Sequence, residues 1–153
     1  MAVRRAVLDI GVAVARITQP YRVAGRRSPA PAAQLDTAWL AVLAEVAKRH
    51  PAGRLIVGGR SSGARVACRT AVAASAAGIV CLAFPLHPPG KPEKSRADEL
   101  LTGVPTLVVN GDRDPFGIPP AGDGVEVVVR PGETHALSKD TAAVGAAVAE
   151  WLA

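Results

Sequence analysis

Short apolar runs alternate along the chain with longer stretches whose apolar positions recur every three or four residues. Leu35, Trp39, Val42, Leu43 and Val46 keep helical spacing, with Asp36 or Thr37 near the start as a cap and Pro51-Ala52-Gly53 as the stop. Residues 12–17, 54–57, 78–84, 105–109 and 125–129 are short and mostly Val, Ile and Leu, which predicts buried strands. Helical stretches are expected over residues 64–76, 97–101 and 139–152, a tight turn over 58–63, and loops over 21–33 and in the irregular excursion 85–103. Strands that are apolar throughout, separated by helices, belong to a mostly parallel sheet covered on both faces. The fold class is therefore α/β.

A chain of 153 residues with 49% apolar content fits a single domain over 1–153, and 3% aromatics make its core aliphatic. The +5 formal charge raises the question of nucleic acid. The basic residues are mostly scattered Arg, however, without a run or the aromatic interleaving that stacks bases. Nucleic acid is not expected as a partner. No segment reaches the ~18 apolar residues of a membrane span. The Arg4-Arg5 start followed by an apolar stretch is interrupted by Asp9 and lacks a cleavage site, so a cytoplasmic protein is the default expectation. Cys68 and Cys81 have no metal-ligand spacing and read as buried reduced thiols.

Chemistry concentrates in three places. Gly59-Arg60-Ser61-Ser62-Gly63 is a G-x-S-x-G pattern between an expected strand and an expected helix. In that setting Ser61 sits at the tip of a strained turn whose flanking positions must be nearly free of side chains, and the Ser62 backbone N–H becomes an oxyanion donor. A serine hydroxyl needs a base, and the base needs an orienting carboxylate. Asp112 and Asp114 follow the 105–109 strand, and His135 follows the 125–129 strand, which gives the chain order serine, acid, histidine. Asp114 is the preferred acid and Asp112 its rival. His50 ends a surface helix, where a cation suits the dipole. His87 precedes the acids and is expected to shape the site or face substrate. Arg26 and Arg27 are candidates to bind an anionic substrate group.

The segments LIVGGRSSGARVACR, CLAFPLHPPGKPEKSRADELL, PTLVVNGDRDPFG and PGETH, with GVAVARITQPYRVAGRRSP before them, resemble the small α/β-hydrolases of the dienelactone-hydrolase-like group. The branch they are most similar to has animal relatives that include a testis-expressed protein and a subunit of the NSL chromatin acetyltransferase complex. That resemblance implies an α/β-hydrolase fold with Ser61 as nucleophile, Asp114 as acid and His135 as base. It implies a serine hydrolase of small esters, thioesters or lactones, with no metal or organic cofactor. The alternative is a non-catalytic, hydrolase-like scaffold that binds a protein partner. In the family a strand and a His-Gly-type turn precede the helix whose tail residues 1–9 resemble. The domain is thus expected to be incomplete at its N-terminus, as from a shortened gene model, and to lack one oxyanion donor.

Overall fold

The computed structural model describes residues 2–51 and 53–153. Met1, in the stretch expected to be the tail of a helix, and Ala52, the middle of the expected Pro51-Ala52-Gly53 stop, lie outside the described residues. In chain order the elements are α1 (Ala2–Asp9), α2 (Pro20–Val23), α3 (Ala32–Arg49), β1 (Ile56–Arg60), α4 (Ser62–Thr70) and β2 (Gly78–Leu82). A 3-10 turn (Ala97–Leu100), β3 (Thr106–Gly111), β4 (Val125–Arg130) and α5 (Thr141–Leu152) complete it. The four strands form one parallel sheet in the order β1-β2-β3-β4. The α/β class and the parallel sheet expected from the apolar runs are what the chain adopts.

The central strands β2 and β3 are buried on both faces, which is why they read as continuous apolar runs rather than alternating ones. Ile79, Cys81 and Val108 face one side, with Ala64, Ala67 and Cys68 of α4 and Leu43 of α3. Val80, Leu107 and Val109 face the other, with Val7 of α1 and Val144 and Val148 of α5. Fully buried aliphatic side chains such as Ile79, Leu107 and Val109 stabilise by roughly 1.5–3 kcal/mol each relative to exposure. On the outer side of α4, Arg69 makes a paired contact with Asp36 of α3, at 2.8 and 2.7 Å. That hydrogen bond raises the Arg69 pKa further.

Several boundaries differ from the sequence expectation for local reasons. Residues 12–17 form no strand. Gly11, at φ +81°, closes α1 with bonds from its own N–H to the Leu8 carbonyl (2.9 Å) and from the Val12 N–H to the Val7 carbonyl (3.2 Å). This is a Schellman closure, with Val12 packing beside Val7 in the same core. Beyond it the chain meets no ladder partner, because β1 pairs with β2 alone. Helix α3 starts behind Pro31 rather than at Asp36 or Thr37, which lie inside it; Thr37 Oγ1 donates to the Ala33 carbonyl instead (2.9 Å). Strand β1 runs through Gly58 and Gly59 to Arg60, since both glycines stay in register with Val80 and Cys81 of β2. Helix α4 ends at Thr70, short of residue 76, and the 21–33 loop is entered through the single turn of α2. Helix α5 begins at Thr141 because Asp140 caps it, accepting from the Ala143 N–H at 2.9 Å.

Candidate active site

Strand β1 delivers the chain straight into Ser61, which holds φ +54° and ψ −117° before α4 begins at Ser62. A serine with positive φ is strained, and such strain persists only where surroundings over-determine it. Here the Ser61 N–H is held by the Leu82 carbonyl at the end of β2 (3.0 Å), and the Ser61 carbonyl accepts from the Ala64 N–H (3.0 Å). The turn is tight enough to require glycine at one flank only. A Cβ on Gly59 would lie 2.5 Å from the Gly63 carbonyl oxygen and 2.9 Å from the Ala64 nitrogen. A Cβ on Gly63 would meet nothing within 4 Å, so the expectation that both flanks must be bare holds for Gly59 alone. Ser62 opens α4, where first-turn N–H groups have no intrahelical acceptor.

The loops after β3 and β4 bring an acid and a histidine to this turn. Ser61 Oγ lies 2.8 Å from His135 Nε2, and His135 Nδ1 lies 2.8 Å from Asp114 Oδ2. A carboxylate only accepts hydrogen bonds, so Nδ1 carries the proton and Nε2 is left to accept from the Ser61 hydroxyl. The Asp114 side chain is fully buried, while that of His135 keeps 21% of its exposure. Asp114 Oδ1 accepts from the Phe116 N–H at 2.9 Å, which fixes the carboxylate plane. The Phe116 ring packs against the imidazole, centroids 4.3 Å apart. Asp112 is exposed, and among the described residues its carboxylate makes no hydrogen bond; only its backbone is engaged, donating to the Arg130 carbonyl at 3.2 Å.

Three supporting residues escaped the sequence reading. Buried Asn110, at the end of β3, accepts from the Phe84 N–H (2.8 Å) and donates to the Gly117 carbonyl (3.1 Å), joining the ends of β2 and β3 to the acid loop. Glu133, two residues before His135, is buried. Its carboxylate accepts from the Ser138 (2.9 Å) and Asp140 (2.7 Å) N–H groups, while its carbonyl accepts from the Arg113 N–H (2.9 Å). It thus ties the histidine loop to itself and to the acid loop. Arg60 donates from Nη2 to the His135 carbonyl at 2.7 Å. The polar residue at the end of a buried strand was a usable signal for Asn110.

The remaining expected site residues are placed differently. His87 packs on the acid loop: its backbone N–H donates to the Phe116 carbonyl (3.0 Å), and its ring lies over Gly117. The ring Nδ1 bonds the Pro88 carbonyl (2.9 Å), and no hydrogen bond joins it to Ser61, Asp114 or His135. Arg26 and Arg27 are not at the site. They line a surface cleft with Tyr21 and Gln34, on the connection ahead of α3, and its lining includes none of Ser61, Asp114 and His135. A cavity of about 220 Å³, walled by Val3, Leu82, Leu137 and Val144 with Arg4 and Arg60 beside them, lies between α1, α5 and the histidine loop, and neither Ser61 nor His135 is among its lining residues.

Behind the serine turn, Cys68 of α4 and Cys81 of β2 are buried free thiols with their sulfurs 3.5 Å apart. The hydrogen bond to Cys68, and then burial, push the Cys81 thiol well above its ordinary range. Among the described residues no group of three or more His, Cys, Asp or Glu is placed to hold a metal ion, and no helix is long and apolar enough to cross a membrane.

The model of a family described as an alpha/beta hydrolase domain matches residues 1–129. No curated protein matches the chain in sequence. Among solved structures, the chain is similar to a protein of the alpha/beta hydrolase superfamily from Xanthomonas campestris pv. campestris, with TM-score 0.70 and 17% identity over 99% of this chain and 87% of that one. It is similar also to an alpha-beta serine hydrolase homologue from Coxiella burnetii, with TM-score 0.65 and 20% identity over 84% of this chain. A third likeness is to an alpha/beta serine hydrolase without a lid from Xanthomonas campestris, with TM-score 0.63 and 20% identity over 82% of this chain. The aligned regions make up 63% of the Coxiella chain and 58% of the lidless one.

Proposed function

Because the chain belongs to the alpha/beta-hydrolase family, we propose that it is a serine hydrolase acting on small esters, thioesters or lactones through an acyl-enzyme. The observation that carries this reading is the continuous line of hydrogen bonds from Ser61 Oγ through His135 to Asp114, each 2.8 Å. In the proposed cycle His135 Nε2 takes the hydroxyl proton as Ser61 Oγ attacks the acyl carbon. The tetrahedral oxyanion faces the start of α4, with the Ser62 N–H as donor. Collapse breaks the bond to the leaving oxygen or sulfur, which receives the proton from His135. Water, deprotonated by the same nitrogen, then releases the acid and restores Ser61. Asp114 stays ionised throughout and holds the imidazole in the tautomer that leaves Nε2 free to accept.

A small substrate is supported by the short connection between β2 and β3, which holds only a 3-10 turn as regular structure and packs against α4 through the Arg65–Glu99 pair. The test is labelling by a fluorophosphonate, read by intact mass on wild type and Ser61→Ala. One adduct, absent from the variant, is the expected result. A folded wild-type chain that takes no adduct would sink the reading in favour of a non-catalytic scaffold.

A further inference from the structure

The sheet ends at β4, whose outer edge is unpaired. Gly124 and Arg130 turn their carbonyls to β3, accepting from the N–H groups of Thr106 (2.9 Å) and Asp112 (3.2 Å). By alternation Val125, Val127 and Val129 turn their backbone groups outward. Val125 spends its pair on Gly122, at 2.8 and 3.0 Å. Among the described residues the N–H and C=O of Val127 and Val129 meet no partner. Edges of this kind are normally blunted by Lys, Pro, a bulge or a covering element. Here the edge is Val127-Val128-Val129, with Val129 42% exposed and the other two half-buried.

Glu126 and Arg130 stand two residues to either side of Val128, so all three side chains lie on one face of the strand. Glu126 is exposed, and among the described residues its carboxylate makes no ion pair or hydrogen bond. Arg130 is only partly used: Nη2 lies 3.7 Å from Asp140 Oδ2, and Nε finds no acceptor. These positions make the strand complementary to itself. An antiparallel neighbour must set outward-facing residues against outward-facing residues. Pairing Val127 with Val129 of a second copy, and Val129 with its Val127, does so and centres a two-fold axis on Val128. The same register sets Glu126 opposite Arg130 of the second copy and Arg130 opposite its Glu126. Pairing Val127 with itself, or Val129 with itself, would leave every Glu126 without an opposite charge. The opposite edge, at β1, offers no such match, because that strand carries an arginine and no acid.

We infer that the β4 edge is a dimerisation surface for a second copy of this chain, joining the two sheets into one through antiparallel β4 strands in the Val127–Val129 register.

The experiment is sedimentation equilibrium over a range of concentrations, with thermal melts to confirm folding. Wild type is expected to pass from monomer to dimer and no further. Glu126→Arg and Arg130→Glu each put like charges face to face, so each should weaken self-association by about tenfold or more. Mixing those two variants restores both opposite-charge pairs, and a mixed dimer should form as readily as the wild-type one. Val129→Lys, at an exposed position, should melt like wild type and remain monomeric. A wild type that stays monomeric overturns the inference, as does one that grows beyond a dimer, which would mean a head-to-tail contact between different edges. Variants that dimerise like wild type, or a mixture that does not associate, overturn the register and with it the interface. If Arg130→Glu fails to fold, Glu126→Arg and Val129→Lys decide between the same outcomes.

Discussion

Arg60 Nη2 and the His135 carbonyl oxygen lie 2.7 Å apart, so the residue that precedes the serine grips the backbone of the histidine. The two loops that must meet for Ser61 Oγ to reach His135 Nε2 are thereby joined twice, once through the reacting side chains and once beside them. Arg60 is exposed, so its removal should cost little stability. Small misplacements of a base are expensive in rate. Arg60→Met is therefore expected to lower kcat on p-nitrophenyl butyrate by about tenfold or more, with KM nearly unchanged. Arg60→Lys should recover part of it. A loss confined to KM would show that the contact does not position the histidine.

The serine turn makes a sharper prediction about two glycines that the G-x-S-x-G pattern treats alike. At Gly59 a methyl group would drive into the Gly63 carbonyl and the Ala64 nitrogen, both backbone atoms that cannot swing away. At Gly63 it would meet open space. Gly59→Ala should destabilise by about 3 kcal/mol or more and abolish labelling of Ser61. Gly63→Ala should unfold within about 0.5 kcal/mol of wild type. Thermal melts of the two variants check this, and equal losses would contradict the geometry.

What the sequence made legible follows from what kinds of force it encodes. Apolar runs reveal strands buried on both faces, so β1 to β4 could be located, and the order serine, acid, histidine could be placed at their ends. Residues 12–17 have the same composition and yet form no strand, because a strand also requires a neighbour with free backbone groups; Val12 instead closes α1. Arg26 and Arg27 looked like substrate ligands by charge alone, and charge does not say which cleft a side chain lines.

Glu133 provides a stability test of the histidine loop. Its buried carboxylate accepts two backbone N–H groups, and charge-assisted bonds of this kind contribute roughly 1.5–3 kcal/mol each. Glu133→Ala should destabilise by about 3 kcal/mol and slow the labelling of Ser61, because residues 134–140 lose their internal tie. Glu133→Gln keeps one acceptor oxygen and presents an amide N–H to the other donor, so it should fall between the two. Urea unfolding curves order the three proteins; a Gln variant as weak as Ala would mean that charge, rather than acceptor geometry, holds the loop.

The Cys68–Cys81 pair ties stability to alkaline pH. The Cys81 thiol titrates well above the ordinary range in the folded chain, because Cys68 hydrogen-bonds it and burial disfavours the thiolate. In the unfolded chain it titrates near the usual ~8.5. Below that value both states hold the proton, and the stability associated with the protonated thiol is fully present. As pH rises above it the unfolded state releases a proton that the folded state keeps, so ν_U falls below ν_N and stability declines. For one group the limiting slope is about 1.4 kcal/mol per pH unit. Melting temperatures between pH 7.5 and 10 should therefore fall more steeply for wild type than for Cys81→Ala, even though the variant starts lower because it leaves a small cavity in the core. The native chain should also resist a water-soluble thiol reagent until it unfolds. Parallel slopes together with rapid native modification would mean that solvent reaches the pair, and that the floor beneath Ser61 is open rather than close-packed.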